Sequence, residues 1–142
     1  MKKTIAVLLF AAGILAAKAQ APSGQIIKKG KATTIVKIDL IENPIVSSAI
    51  SALQSGDKET WFSLFSQDVQ LFDDGNKIDF KPFFAKVIGN DRFLSIDRVE
   101  NNSMDIYGKI HSKQWGHFKT YFSFGINQAG KIDRLEIGQA NY

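Results

Sequence analysis

The stretch SALQSGDKETWFSLFSQDVQLFDDG, residues 51–75, decides the fold of this chain. It reads as the end of one helix, a Gly56-Asp57 break, a short second helix carrying Trp61, Phe62 and Phe65, and a strand that finishes in Asp73-Asp74. A glycine just past a helix end takes the left-handed conformation that terminates it, and an aspartate placed next offers an acceptor to the free N–H groups of the following helix. Upstream, Asn43-Pro44 starts the first helix, with Asn as cap and Pro in the first turn, where its missing N–H is not needed. Ile45, Val46, Ala49, Ile50 and Leu53 then recur at helical spacing as far as Gly56.

Downstream, Trp61, Leu64, Phe65 and Phe62 make the apolar face of the second helix. Residues 68–73 alternate enough for a strand, and Asp74-Gly75-Asn76 turns the chain. Asp79 is placed to cap a third helix running from Phe80 to about Ile88, with Pro82 tolerated in its first turn and Gly89 beyond its end. From Phe93 the sequence reads as an antiparallel sheet with strands over residues 93–100, 104–112, 115–126 and 132–138. In the third of these Phe118, Thr120, Phe122 and Phe124 share one face, and His117, Lys119, Tyr121 and Ser123 share the other. Leu135 and Ile137 oppose Arg134 and Glu136 in the last strand. A sheet with one apolar face must be covered, so an α+β domain is expected, with three N-terminal helices packed on the sheet.

The amino end carries Lys2 and Lys3, an apolar run from Ile5 to Ala17, and Ala17-Lys18-Ala19 before Gln20. This is the pattern of a secretory signal peptide over residues 1–19, and the run of roughly 13 apolar residues falls short of the ~20 that span a bilayer. Export to a bacterial periplasm or exterior is the expectation, with no membrane association after cleavage. Lys2, Lys3 and Lys18 are three of the 18 basic residues, so the remainder holds 15 against 14 acidic, a net charge of +1. That balance argues against a nucleic-acid binder, which concentrates basic charge. Cysteine is absent, which excludes disulfides and a cysteine nucleophile. Residues 20–42 read as a lead-in, with the β-branched segment 33–40 as an edge strand. Residues 43–142 form the domain.

The order helix, Gly-Asp, short aromatic helix, strand ending in acid, third helix, long strands resembles the nuclear transport factor 2-like superfamily, and within it the SnoaL-like and ketosteroid-isomerase-like branch. The resemblance is carried by Ala52-Leu53-Gln54-Ser55-Gly56-Asp57, Leu64-Phe65-Ser66-Gln67-Asp68-Val69, Phe83-Phe84 and Ala129-Gly130-Lys131-Ile132. It implies a cystatin-like cone, in which a strongly curved antiparallel sheet wraps the helices around an apolar cavity, and a homodimer formed through the outer sheet face. It also places the general base of the isomerase-like members on Asp73. The oxyanion-donor tyrosine falls on Ala49, however, and the protonated acid falls on Phe122. Loss of even one such donor typically costs several kcal/mol of transition-state stabilisation, so steroid isomerisation is not expected.

Three functions from different classes follow. In the first, a small apolar molecule is held in the cone without being transformed, between Trp61, Phe65, Phe83 and Phe84 on the helical side and Phe118, Phe122, Phe124, Leu135 and Ile137 on the sheet side. In the second, desolvation raises the pKa of Asp73, which acts as general base or acid in a lyase or isomerase; the bland reading is that Asp73 and Asp74 only initiate a turn. In the third, Tyr107, Lys109, His117, Lys119 and Tyr121 gather on the outer sheet face as an interaction surface. No cofactor is expected. His111 and His117 are the only histidines and lack carboxylates at ligand spacing, so no metal site is expected either.

Overall fold

Asn43 and Gly56 bound the first helix through the contacts their chemistry offers. In the computed structural model, which describes residues 36–142, α1 spans Pro44–Ser55. Asn43 Oδ1 accepts from the amides of Ile45 at 2.9 Å and Val46 at 3.1 Å. Gly56 sits at φ 74°, and the Asp57 amide returns to the Ala52 carbonyl at 2.9 Å, closing the helix end. Asp57 then caps α2, Lys58–Ser63, accepting from the Thr60 amide at 3.1 Å and the Thr60 hydroxyl at 2.7 Å. Those bonds hold its carboxyl below the usual range.

Phe65 corrects the sequence expectation. It leaves the helix and opens strand β1, Phe65–Asp73, where it pairs in parallel with Ile132. Pairing with the last strand overrides the helical pattern of Trp61, Leu64 and Phe65, and the Leu64 carbonyl accepts from the Ile132 amide at 2.9 Å. Asp74 and Gly75, at φ 47° and 84°, make the paired left-handed turn favoured in two-residue hairpins and lead into β2, Asn76–Ile78, a strand the sequence does not announce. Helix α3 follows over Phe80–Val87, without a side-chain hydrogen bond from Asp79.

The sheet is completed by β3 (Asp91–Glu100), β4 (Asp105–Ser112), β5 (Gly116–Ile126) and β6 (Ile132–Gln139), in the order β2-β1-β6-β5-β4-β3. Because β1 and β6 run parallel, the sheet is mixed rather than antiparallel. The expected edge strand over residues 33–40 is not formed where it is described: Ile38–Leu40 is a single 3-10 turn, with Val36 and Ile38 packed on the core. Residues 33–35, the expected signal peptide and most of the lead-in lie outside the described residues.

Irregular pairing of β3 with β4, between Phe93 and Ser95 and again between Ile96 and Arg98, bends the curved sheet. Gly108 accommodates the bend, since a Cβ there would strike the Ser95 carbonyl oxygen and come within 3.0 Å of the Phe93 ring. The turn after β3 holds Asn101, Asn102 and Ser103 at positive φ. Buried Ser103 accepts from the Glu42 amide at 2.9 Å and so ties the start of α1 to the sheet.

Inside the bend, Trp61 is fully buried, with its ring 4.8 Å from Phe65 and 4.7 Å from Phe84. Phe80 joins the group at 4.5 Å from Phe65 and 5.2 Å from Phe84. Leu71, Ile132 and Leu135 supply the aliphatic part of the same core. This aromatic block fills one end of the space between helices and sheet, leaving the other end, at α3 and the β4–β5 turn, for a cavity.

Candidate functional site

Asp73 closes β1, fixed between Ile137 of β6 and Asn76 of β2. Two residues beyond fully buried Leu71, it projects to the inner side by strand alternation and lines a cavity of about 500 Å³. The helical wall is Phe83, Phe84 and Val87. The sheet wall is Ile110, Phe118, Phe122 and Ile137. Six of the ten sequence-expected site residues therefore meet here: Asp73, Phe83, Phe84, Phe118, Phe122 and Ile137.

The other four do not. Trp61 and Phe65 lie in the aromatic block behind Phe84, while Phe124 and Leu135 pair with each other further along the sheet, in the packed core. Helical and strand periodicity identifies residues that face inward but not how far along the axis the packing is filled. Of the two positions where the resemblance expects polar donors, Ala49 is fully buried in the core and Phe122 is on the cavity wall, 5.3 Å ring to ring from Phe93.

Two side chains that sequence reasoning passed over complete the site. Asp91 opens β3 opposite Ser112, is 8 % exposed and faces the cavity. It stands two residues before buried Phe93, so extending the strand pattern backwards by one period would have found it. Trp115, expected within a strand, sits instead in the turn before β5; its exposed indole stacks on Phe83 at 6.5 Å and 19°. The turn is anchored by the Ser112 hydroxyl, which accepts from the amides of Gln114 and Trp115 at 3.2 Å each. A second lobe of about 560 Å³ adjoins on the outside, lined by Pro82, Lys86, Asn90, Lys113 and Gln114 and sharing Asp73, Phe83, Val87, Asp91 and Trp115 with the first.

Burial raises the Asp73 carboxyl above its ordinary value, and the charge of Asp74 adds to the shift. Burial also raises Asp91, opposed by the Ser112 hydroxyl, the Lys113 amide and the charge of nearby His111. Asp74 is held differently: its amide donates to the Ile137 carbonyl at 2.9 Å and its Oδ1 accepts from the Gln139 amide at 3.1 Å. Gly138 permits this approach, because a Cβ there would collide with the Asp74 carboxylate and the Tyr121 ring. Thr120, also on the cavity wall, commits its hydroxyl proton to the Gly138 carbonyl at 2.7 Å. The site thus joins an apolar wall to two carboxylates whose protonation is eased by their surroundings, a combination suited to holding an apolar molecule or moving a proton.

On the outer face of the sheet Tyr107 stands opposite Tyr121 and Lys109 opposite Lys119; His111 stands opposite His117 at the end of the same ladder, where His117 also borders the cavity. The imidazoles are neighbours, 4.9 Å apart, although they stand on different strands. Tyr142 lies over this face, 5.9 Å from the Tyr107 ring, with its hydroxyl donating to Asp97 at 2.6 Å; burial and the Asp97 bond push that phenol up to about 12. No group of three or more potential metal ligands occurs among the described residues.

No protein-family model matches the sequence, and no curated protein matches it. Solved structures do. The chain is similar to an NTF2-like protein of unknown function from Cytophaga hutchinsonii, with a TM-score of 0.56, 9 % identity and coverage of 75 % of this chain and 93 % of that one. It is similar to a candidate polyketide cyclase from Sinorhizobium meliloti, at 0.53 and 19 % identity over 66 % of this chain and 92 % of the other. A third likeness is to the Orange Carotenoid Protein of Anabaena binding canthaxanthin, at 0.54 and 22 % identity over 68 % of this chain but only 35 % of that one. At these identities the likeness establishes the fold, which is the nuclear transport factor 2-like fold.

Proposed function

We propose that this protein binds a small apolar molecule in the space enclosed by its curved sheet and α3. The observation that carries this reading is the aromatic and aliphatic wall around a cavity of about 500 Å³, within the usual range for ligand sites. A fold neighbour that binds canthaxanthin, an apolar molecule, supports the same reading. Titration with a panel of hydrophobic ligands should raise the melting temperature for a subset of them; a panel without a single thermal shift sinks the proposal.

A second reading is favoured by one feature, the raised carboxyl of Asp73 on the cavity wall. In that reading Asp73 is the general base or acid of a lyase or isomerase, in line with the cyclase-like neighbour. Asp73→Asn should then abolish turnover with the melting temperature nearly unchanged. Full activity in that variant excludes the role.

Export and self-association belong to the same proposal. Removal of residues 1–19 is tested by sequencing the amino terminus of the protein recovered from the periplasm or medium. Homodimerisation through Tyr107, Lys109, His117, Lys119 and Tyr121 is tested by size-exclusion chromatography, where a strict monomer at high concentration contradicts it.

A further inference from the structure

The two lobes of the cavity meet at Asp73, Asp91, Phe83, Val87 and Trp115, which line both. Two of the five are carboxylates and two are aromatic rings. Asp91 is more than nine-tenths buried, and the hydrogen bonds its carboxylate receives come from uncharged donors, the Lys113 amide at 3.3 Å from Oδ1 and the Ser112 hydroxyl. Among the described residues, no cationic side chain lies within ion-pair distance of Asp73, Asp74 or Asp91; the ion pairs are Arg98 with Glu100, Lys109 with Asp97 and Arg134 with Glu136, all at a distance from the cavity wall.

A buried carboxylate is ordinarily matched by a cation, because desolvation without a partner disfavours the charged form. The cations nearest this junction are Lys86 of α3 and Lys113 of the β4–β5 turn, both exposed along the outer lobe, with His117 lining the inner lobe and His111 close to Asp91. None of them is paired with the carboxylates. Trp115 is 56 % exposed and stacked on Phe83, an unusual placement for the largest apolar side chain. Aromatic faces beside carboxylates attract organic cations twice over, through the ring quadrupole and through charge.

We propose that the ligand of this cavity is an apolar molecule carrying one positive charge, a protonated or quaternary amine, whose cation sits at the junction of Asp73, Asp91, Phe83 and Trp115. Its apolar part lies on the inner wall formed by Phe118, Phe122 and Ile137. The inference rests on the cavity being a ligand site and adds the charge of the ligand.

Three probes of one shape test it: 1-naphthylmethylamine, 1-naphthalenemethanol and 1-naphthoate, each titrated calorimetrically into the whole protein at pH 7. The amine should bind about tenfold more tightly than the alcohol, as expected for a desolvated cation beside aromatic and anionic groups, and the carboxylate should bind most weakly. Asp91→Asn retains an acceptor for the Lys113 amide and should bring the amine down to the affinity of the alcohol while leaving the alcohol unchanged. Asp73→Asn, on the opposite wall, should reduce the same preference, and Trp115→Ala should weaken all three probes. Equal binding of amine and alcohol, an amine preference that survives both aspartate substitutions, or tightest binding by the carboxylate through Lys86 and Lys113 overturns the charge assignment while leaving the cavity as a ligand site. Binding by none of the three overturns both.

Discussion

Trp61 offers a quantitative check on the core that frames the cavity, because its two contributions to stability oppose each other. The side chain is fully buried between Phe65 and Phe84, yet its Nε1 has no hydrogen-bond acceptor among the described residues. Trp61→Phe removes roughly 40 Å³ of side chain, and at about 24 cal/mol per Å³ the residual space costs about 1 kcal/mol. The apolar area lost with the second ring, about 40 Å² at ~25 cal/mol per Å², adds about 1 kcal/mol. Against these stands the removal of an unpaired buried donor, which returns about 1–3 kcal/mol. The expected outcome is a variant within about 1 kcal/mol of the wild type. Trp61→Ala, which empties the site, should lose about 3–5 kcal/mol. Urea denaturation followed by far-UV circular dichroism measures both, with an unchanged m-value as the sign that the comparison is sound. A loss of 3 kcal/mol or more in Trp61→Phe refutes the reasoning, since it means that the indole N–H makes a bond worth keeping.

Asn43→Ala should cost about 1 kcal/mol in the same assay, because two amides of α1 lose their acceptor. Gly108→Ala should cost about 2 kcal/mol or more, since the new methyl meets the Ser95 carbonyl and the Phe93 ring where β3 is bulged; a loss below 0.5 kcal/mol would show that the bend relaxes freely. The raised carboxyl of Asp91 gives stability a definite pH dependence. At the acid end Asp91 is protonated folded and unfolded alike; as pH rises through the ordinary carboxylate range, about 4, and on through the raised folded value, the unfolded chain gives up its proton first and the wild type loses stability. Asp91→Asn lacks that loss, so its stability relative to the wild type should climb from about pH 3 to 7, and a difference independent of pH would contradict the burial assigned to Asp91.

Much of this fold is written locally. The Asn43 cap, the Gly56-Asp57 break and the Asp74-Gly75 turn depend on backbone groups within a few residues, and each is found where its chemistry puts it. Phe65 is different, because whether it continues a helix or opens a strand is decided by Ile132, 67 positions away. The parallel pairing of β1 with β6 has the same long-range origin and leaves no trace in alternation. Within the site, alternation correctly turns Phe118, Phe122 and Ile137 inward, but the filling of one end by Trp61 and Phe65 is a matter of volume, which periodicity does not carry. Asp91 was hidden by the Gly89-Asn90 turn before it, and Trp115 by an apolar character that suits a strand as well as a cavity rim.

The claim that the cavity is the ligand site is tested most directly by titrating 1-naphthylmethylamine into isotope-labelled protein and mapping amide and side-chain shifts by NMR. Shifts should concentrate on Phe83, Asp91, Ile110, Trp115, Phe122 and Ile137, which surround the cavity. Shifts confined to Tyr107, Lys109 and Tyr121 on the outer face of the sheet, or no saturable shift at all, would contradict it.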